Sequence, residues 1–211
     1  MKTYLSNEET VSLINEAKDV HEPEALTMLT EAPSTPWTHW KPNEDVTLDK
    51  LGVDAWIYSE ESGVEAAQVK TYKFDEDYAV SKGWWDRGQV ACIELSGGTQ
   101  SACFLKQCEA DQVIFYYPGV TPESKWCRLL VIEAEVVISL AKTHWANRNL
   151  PKFKQQPVPG WYRNNNRSKG SFVVITLDDL KAYRKAFYEH HGLNPLTCRQ
   201  RRLEALSGGV Q

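Results

Sequence analysis

Between Val53 and Tyr72 the sequence is two alternating runs of apolar and polar residues around a turn. Val53-Asp54-Ala55-Trp56-Ile57-Tyr58 reads as one strand, Glu60-Glu61-Ser62-Gly63 as the turn, and Val64 to Tyr72 as the returning strand. A period of two sends successive side chains to opposite faces, which a helix cannot accommodate. The segment therefore predicts a β-hairpin at the centre of the chain, and the rest of the fold has to be arranged around it.

The flanks supply helices and further strands. Residues 6–18, with Ser6 as cap and Val11, Ile14 and Ala17 at helical spacing, predict an amphipathic helix. Pro23 followed by Glu24 to Glu31 predicts a second, short one with proline near its first turn. Pro33 and Pro36 break the chain into a loop, after which Trp37 and Trp40 are expected as packing anchors. Gln89 to Leu95 predicts a third strand, Gln100 to Ala110 a helix, and Asp111 to Tyr117 a short buried strand stopped by Pro118-Gly119. Leu129 to Ala141 is expected to begin as strand and continue as helix, and Phe172 to Ile175 to form a last strand. Thr176-Leu177-Asp178-Asp179 opens a helix over 178–191 that Gly192 ends. His190 and His191 fall in its last turn, where the helix dipole favours positive charge, and are read as helix-end residues, not metal ligands.

At 211 residues with 42% hydrophobic and 25% charged residues, the chain is long and apolar enough to bury the core of a single α/β domain. No apolar run is long enough to span a membrane. The opening residues lack the apolar stretch of a signal peptide, so a cytoplasmic protein with no membrane partner is expected. The five cysteines, at 92, 103, 108, 127 and 198, form no CxxC pair and are odd in number. They predict reduced thiols and neither a disulfide framework nor a zinc knuckle.

Charge is strongly segregated. Residues 1–135 hold 11 Lys/Arg against 24 Asp/Glu, whereas residues 136–211 hold 13 against 4. Between Glu135 and Asp178 there is no acidic residue, yet Lys142, Arg148, Lys152, Lys154, Arg163, Arg167 and Lys169 are present. Carboxylates are avoided over such a length where a polyanion has to approach. The other reading is a basic surface that faces the acidic half of a neighbouring copy. Arg163-Asn164-Asn165-Asn166-Arg167-Ser168-Lys169-Gly170 is expected as an exposed loop. Arg163, Asn165 and Arg167 are suited to base edges, Lys169 to phosphate.

Chemistry concentrates at one end of the hairpin. Gln68 and Lys70 project from one face of the returning strand, Val69 from the other, and Asp54 lies on the neighbouring strand. The carboxylate of Asp54 and the amide oxygen of Gln68 are hard donors suited to Mg²⁺ or Mn²⁺. Lys70 beside them would orient or deprotonate a water and offset charge developing on a phosphorane.

On Gly52-Val53-Asp54 and, 14 residues after that aspartate, Gln68-Val69-Lys70-Thr71-Tyr72, the chain resembles the PD-(D/E)xK nuclease superfamily of restriction-endonuclease-like enzymes. That superfamily includes Holliday junction resolvases and some homing endonucleases. The order of helix, hairpin, strand, helix and strand over residues 6 to about 117 also looks like its αβββαβ core. The resemblance implies a mixed central sheet flanked by helices, with residues 1–135 as nuclease-like core and 136–211 as a basic DNA-contacting extension packed on the same domain. It further implies metal-dependent hydrolysis of double-stranded DNA, with Asp54 and Gln68 as metal ligands and Lys70 as catalytic lysine. Gln68 departs from the more common Glu or Asp and matches a QxK variant. Members often add a carboxylate from the first helices, for which Glu16, Glu24 and Glu31 are the candidates. A homodimer or higher homo-oligomer would supply two active sites for two strands. A site-specific homing or restriction type of enzyme is expected, with a junction resolvase or a non-catalytic DNA-binding protein of the same fold as alternatives.

Overall fold

The computed structural model describes residue 12 and residues 15–33, 35–72, 89–97, 100–101, 103–105, 107–120, 127–150, 158–165 and 170–192. The hairpin forms as its pattern requires. Strand β2 (Ala55–Ser59) and strand β3 (Gly63–Thr71) pair antiparallel with Ala55 opposite Ala67 and Ser59 opposite Gly63. Strand β1 (Trp37–Pro42) pairs antiparallel with β2, strand β6 (Gln112–Tyr116) runs parallel to β3, and strand β7 (Leu129–Glu133) closes the row antiparallel to β6. The result is a five-stranded mixed sheet in the order β1-β2-β3-β6-β7.

A second, antiparallel sheet has the order β5-β4-β9-β8. It comprises strand β4 (Val90–Gly97), strand β5 (Gln100–Ser101), strand β8 (Trp161–Asn165) and strand β9 (Gly170–Thr176). Among the described residues the α-helices are α1 (Glu22–Glu31), α2 (Val46–Lys50), α3 (Ala134–Asn147) and α4 (Leu177–His191).

Layering follows from side-chain alternation. Ala55, Ile57, Ala67, Val69, Ile114 and Tyr116 pack with Ala25, Leu26 and Leu29 of α1 on one face of the five-stranded sheet. Val113, Phe115 and Ile132 pack on the other face with α3, with Ile93 and Ile175 of the second sheet, and with Leu180 of α4. Strand β6 is buried at every position, as a central strand covered on both faces must be. Two tyrosines tie the sheets together: Tyr72, just after β3, donates to the Cys92 carbonyl at 2.5 Å, and Tyr117, just after β6, donates to the Val90 carbonyl at 2.8 Å. The protein is thus mixed α/β with a mixed central sheet flanked by helices. Among the described residues no helix is long and apolar enough to cross a membrane.

Several expectations hold in detail. Leu129 to Ala141 does switch from strand to helix at Ala134. Thr176 caps α4 by accepting from the Asp179 amide at 3.0 Å, and Gly192 ends it in the left-handed region at φ 60°. Trp37 is buried and Trp40 half-buried against α1, where its indole donates to Thr27 at 3.3 Å.

Others are corrected. The two N-terminal helices are not separated, although only residues 12, 15 and 16 of the segment before Ala17 are described. Asn15 and Glu16 lead through a π turn (Ala17–His21) directly into α1. The Glu22 amide reaches five residues back to the Ala17 carbonyl, and this extra residue per turn absorbs Pro23, which has no amide to offer a regular helix. The segment from Trp37, read as following a loop, is strand β1, because pairing with β2 buries Trp37. The strand near Gln89 does not extend the hairpin's sheet. It is β4, paired with β9 more than 70 residues later in the chain. The helix expected over 100–110 is replaced by β5 and a 3₁₀ turn (Cys103–Leu105) that buries Phe104. Pairing of Ser101 with Ser96 overrides helix propensity there. Arg163 to Asn165, expected in a loop, lie in β8 opposite Phe172 to Gly170 of β9. Residue 135, where the nuclease-like core was divided from the basic extension packed on the same domain, lies in α3, and residues on both sides of it belong to one core cluster.

Candidate active site

The site begins with a turn that delivers Asp54. Gly52, buried at φ 82°, takes the chain from α2 into β2 through a conformation that side chains disfavour. Asn43 holds the incoming segment: its side-chain amide donates to the Val53 carbonyl at 2.7 Å, and its backbone amide to the Asp54 carbonyl at 3.0 Å. Asp54 in turn donates its amide to the Ala67 carbonyl at 2.9 Å, and its Oδ2 accepts from the Val69 amide at 2.7 Å. The carboxylate is therefore fixed across the open end of the hairpin, one residue from both Gln68 and Lys70.

Strand alternation separates the neighbours as expected. Ala67 and Val69 enter the core beneath α1, so Gln68 and Lys70 take the opposite face of β3. Gln68 is buried. Lys70 is half-buried with its ammonium 6.0 Å from the centroid of the buried Phe104 ring, so the 3₁₀ turn that replaced the expected helix forms the floor beneath the lysine.

A fourth side chain joins them from α1. It is Glu22, and none of the three glutamates named from sequence. Burial first, and then the negative charge of Asp54, push its carboxyl up to about 8, with Asp49 adding to the rise and Lys18 and Lys70 opposing it. Asp54 is also raised, by burial above all, while Lys70 and the Val69 amide hold it down. The other glutamates are engaged elsewhere. Glu16 lies 3.8 Å from His21, Glu24 binds Arg128 at 2.7 Å, and Glu31 lines an open groove with Pro23, Met28 and Arg128. Glu22 was hidden by the expectation that a new helix starts at Pro23. Once the helical run is continuous, Lys18 and Glu22 are four residues apart and share a face.

These residues fit a divalent cation. Two carboxylates and a carboxamide offer oxygen donors, the set preferred by Mg²⁺ and Mn²⁺. Two partly buried carboxyls that each resist ionisation are what a bound cation would relieve. No group of three His, Cys, Asp or Glu side chains arranged for a metal occurs among the described residues, so the amide of Gln68 and oxygens of substrate and solvent would have to contribute.

The basic residues are distributed over two elements. Lys142 is exposed on α3. Arg148 follows its end, with the guanidinium 3.9 Å above the Trp145 ring and Nη1 donating to the Trp145 carbonyl at 2.6 Å. Arg163 and Asn165 lie on the edge strand β8. Lys152, Lys154, Arg167 and Lys169 lie outside the described residues. Comparison with protein-family models, curated proteins and solved structures gives no match.

Proposed function

We propose that this protein is a metal-dependent endonuclease that hydrolyses phosphodiester bonds of double-stranded DNA, with a restriction-endonuclease-like core. The observation that supports the reading is the electrostatic coupling of Glu22, Asp54 and Lys70 at one end of the β2–β3 hairpin, with Gln68 two residues from Lys70 on the same face of β3. A helix, three antiparallel strands and a further strand parallel to the third, namely α1, β1, β2, β3 and β6, resemble part of the αβββαβ order, although among the described residues β4, β5 and a 3₁₀ turn, and no α-helix, stand between β3 and β6. In this reading Glu22, Asp54 and Gln68 would hold Mg²⁺ or Mn²⁺, which supplies Lewis-acid stabilisation of the scissile phosphate. Lys70 orients the attacking water and offsets charge on the phosphorane while one P–O bond forms to water and one P–O ester bond breaks. Val69 fixes Asp54 through its amide, so the carboxylate need not reorganise during the reaction. Lys142, Arg148, Arg163 and Asn165, with the remaining basic residues of the second half, would contact the duplex. Site-specific cutting by a homo-oligomer, of homing or restriction type, is the narrower form of the proposal.

A second reading follows from Gln68, which is neutral and buried: a DNA-binding protein of the same fold without cleavage, or a resolvase that acts on junctions only. Lys70→Ala separates these. An endonuclease loses cleavage and keeps DNA affinity within a few-fold, whereas a pure binder is indifferent to Lys70 and to Mg²⁺. Cleavage confined to four-way junctions would select the resolvase.

A further inference from the structure

Lys18 is not part of the motif that singled out Asp54, Gln68 and Lys70, yet it sits at the same site. It projects from the π turn one helical turn before Glu22, and it acts electrostatically on both Glu22 and Asp54. Its ammonium is 3.7 Å from the Asp49 carboxylate on α2, with the two side chains 58% and 43% exposed. It is therefore on the solvent side of the cluster, the side from which a duplex has to arrive. An exposed pair of this kind is weak and readily exchanged for another anion.

Two ammonium groups, Lys18 and Lys70, act on this cluster, and Lys18 is the exposed one, so it is the cation that an arriving backbone phosphate meets first.

We propose that Lys18 is a phosphate-contacting residue of this site, parked on Asp49 in the free protein and transferred to a DNA backbone phosphate when the duplex binds. The proposal rests on the endonuclease reading and adds the residue that receives the substrate's charge. Asp49 is then a positioning residue, which holds Lys18 at the mouth and gives it up.

The test is the salt dependence of binding to mixed-sequence double-stranded DNA, followed by fluorescence anisotropy in Ca²⁺, with cleavage in Mg²⁺ measured alongside. Loss of one phosphate contact lowers the slope of log affinity against log salt by about one. Lys18→Ala is expected to show that drop together with about tenfold weaker binding at low salt. Lys18→Arg should restore the slope, and Asp49→Asn should leave it intact. In cleavage, Lys18→Ala should raise KM more than it lowers kcat. An unchanged slope in Lys18→Ala, in a protein that cleaves DNA and loses cleavage in Lys70→Ala, overturns the role of Lys18 alone. Absence of cleavage in the wild type, with no effect of Lys70→Ala, overturns the endonuclease reading and this proposal with it. A purely structural role for Lys18 would lower thermal stability without moving the slope, and Lys18→Arg would not rescue it.

Discussion

Glu22 makes a prediction that runs against the usual behaviour of an acidic residue. In the folded protein its carboxyl is raised from 4.5 to about 8, chiefly by burial and by Asp54. The folded state therefore binds a proton more tightly than the unfolded chain. Stability linked to Glu22 is fully present below about pH 4.5 and is lost as pH rises toward 8. Undiscounted, the shift corresponds to roughly 5 kcal/mol at about 1.4 kcal/mol per unit. Glu22 is only partly buried, so solvent screening reduces this to on the order of 2–3 kcal/mol. Urea denaturation at a series of pH values between 5 and 8, in chelator, should show the midpoint falling with pH at constant m. Glu22→Gln, which keeps the shape and removes the titration, should flatten most of that slope and be the more stable protein at pH 8. Mg²⁺ should offset the loss in the wild type at pH 8, because it binds the ionised pair, and should do so less in Glu22→Gln. A wild-type midpoint that is flat over this range, or an identical slope in Glu22→Gln, would refute the placement of Glu22 beside Asp54.

Two predictions concern the frame that holds the site. A Cβ on Gly160, at φ 90°, would meet the Val174 carbonyl oxygen at 2.9 Å and Ile175 at 3.1 Å, so Gly160→Ala should cost about 2–4 kcal/mol, read as a lower midpoint in thermal unfolding. Arg184 donates from Nε and Nη2 to the two oxygens of Glu133 at 2.6 and 2.5 Å, tying α4 to the strand-to-helix junction of β7 and α3. Arg184→Ala should cost about 1–3 kcal/mol, and the double variant with Glu133→Gln should cost less than the sum of the two single variants, measured by denaturant midpoints.

Local pattern carried the elements that local pattern can decide. The hairpin, the switch from strand to helix at Ala134 and the capped helix from Leu177 to His191 were readable because alternation, capping residues and Gly192 sit within a few positions of one another. The pairing of β4 with β9 was not readable, because it joins residues 90–97 to 170–176 and no local signal encodes that distance. Strand β1 was obscured by Pro33 and Pro36 just before it, which read as a loop, although Trp37 and Trp40 were expected as packing anchors. In the site, Asp54, Gln68 and Lys70 could be placed together from alternation alone, since they share one hairpin. Glu22 and Lys18 could not, because their position depends on a π turn that erases the helix break suggested by Pro23. A phase argument that carried one helix through the proline would have put Lys18 and Glu22 on one face.

The central claim is tested most directly by incubating long, varied double-stranded DNA with the protein in Mg²⁺ or Mn²⁺, beside Asp54→Ala and Lys70→Ala. The account predicts metal-dependent cutting by the wild type, abolished by chelator and by either substitution, with both variants still folded and still bound to DNA. Cutting that survives in Asp54→Ala, or a wild type that binds DNA with salt sensitivity yet cuts neither duplexes nor four-way junctions in either metal, would contradict it.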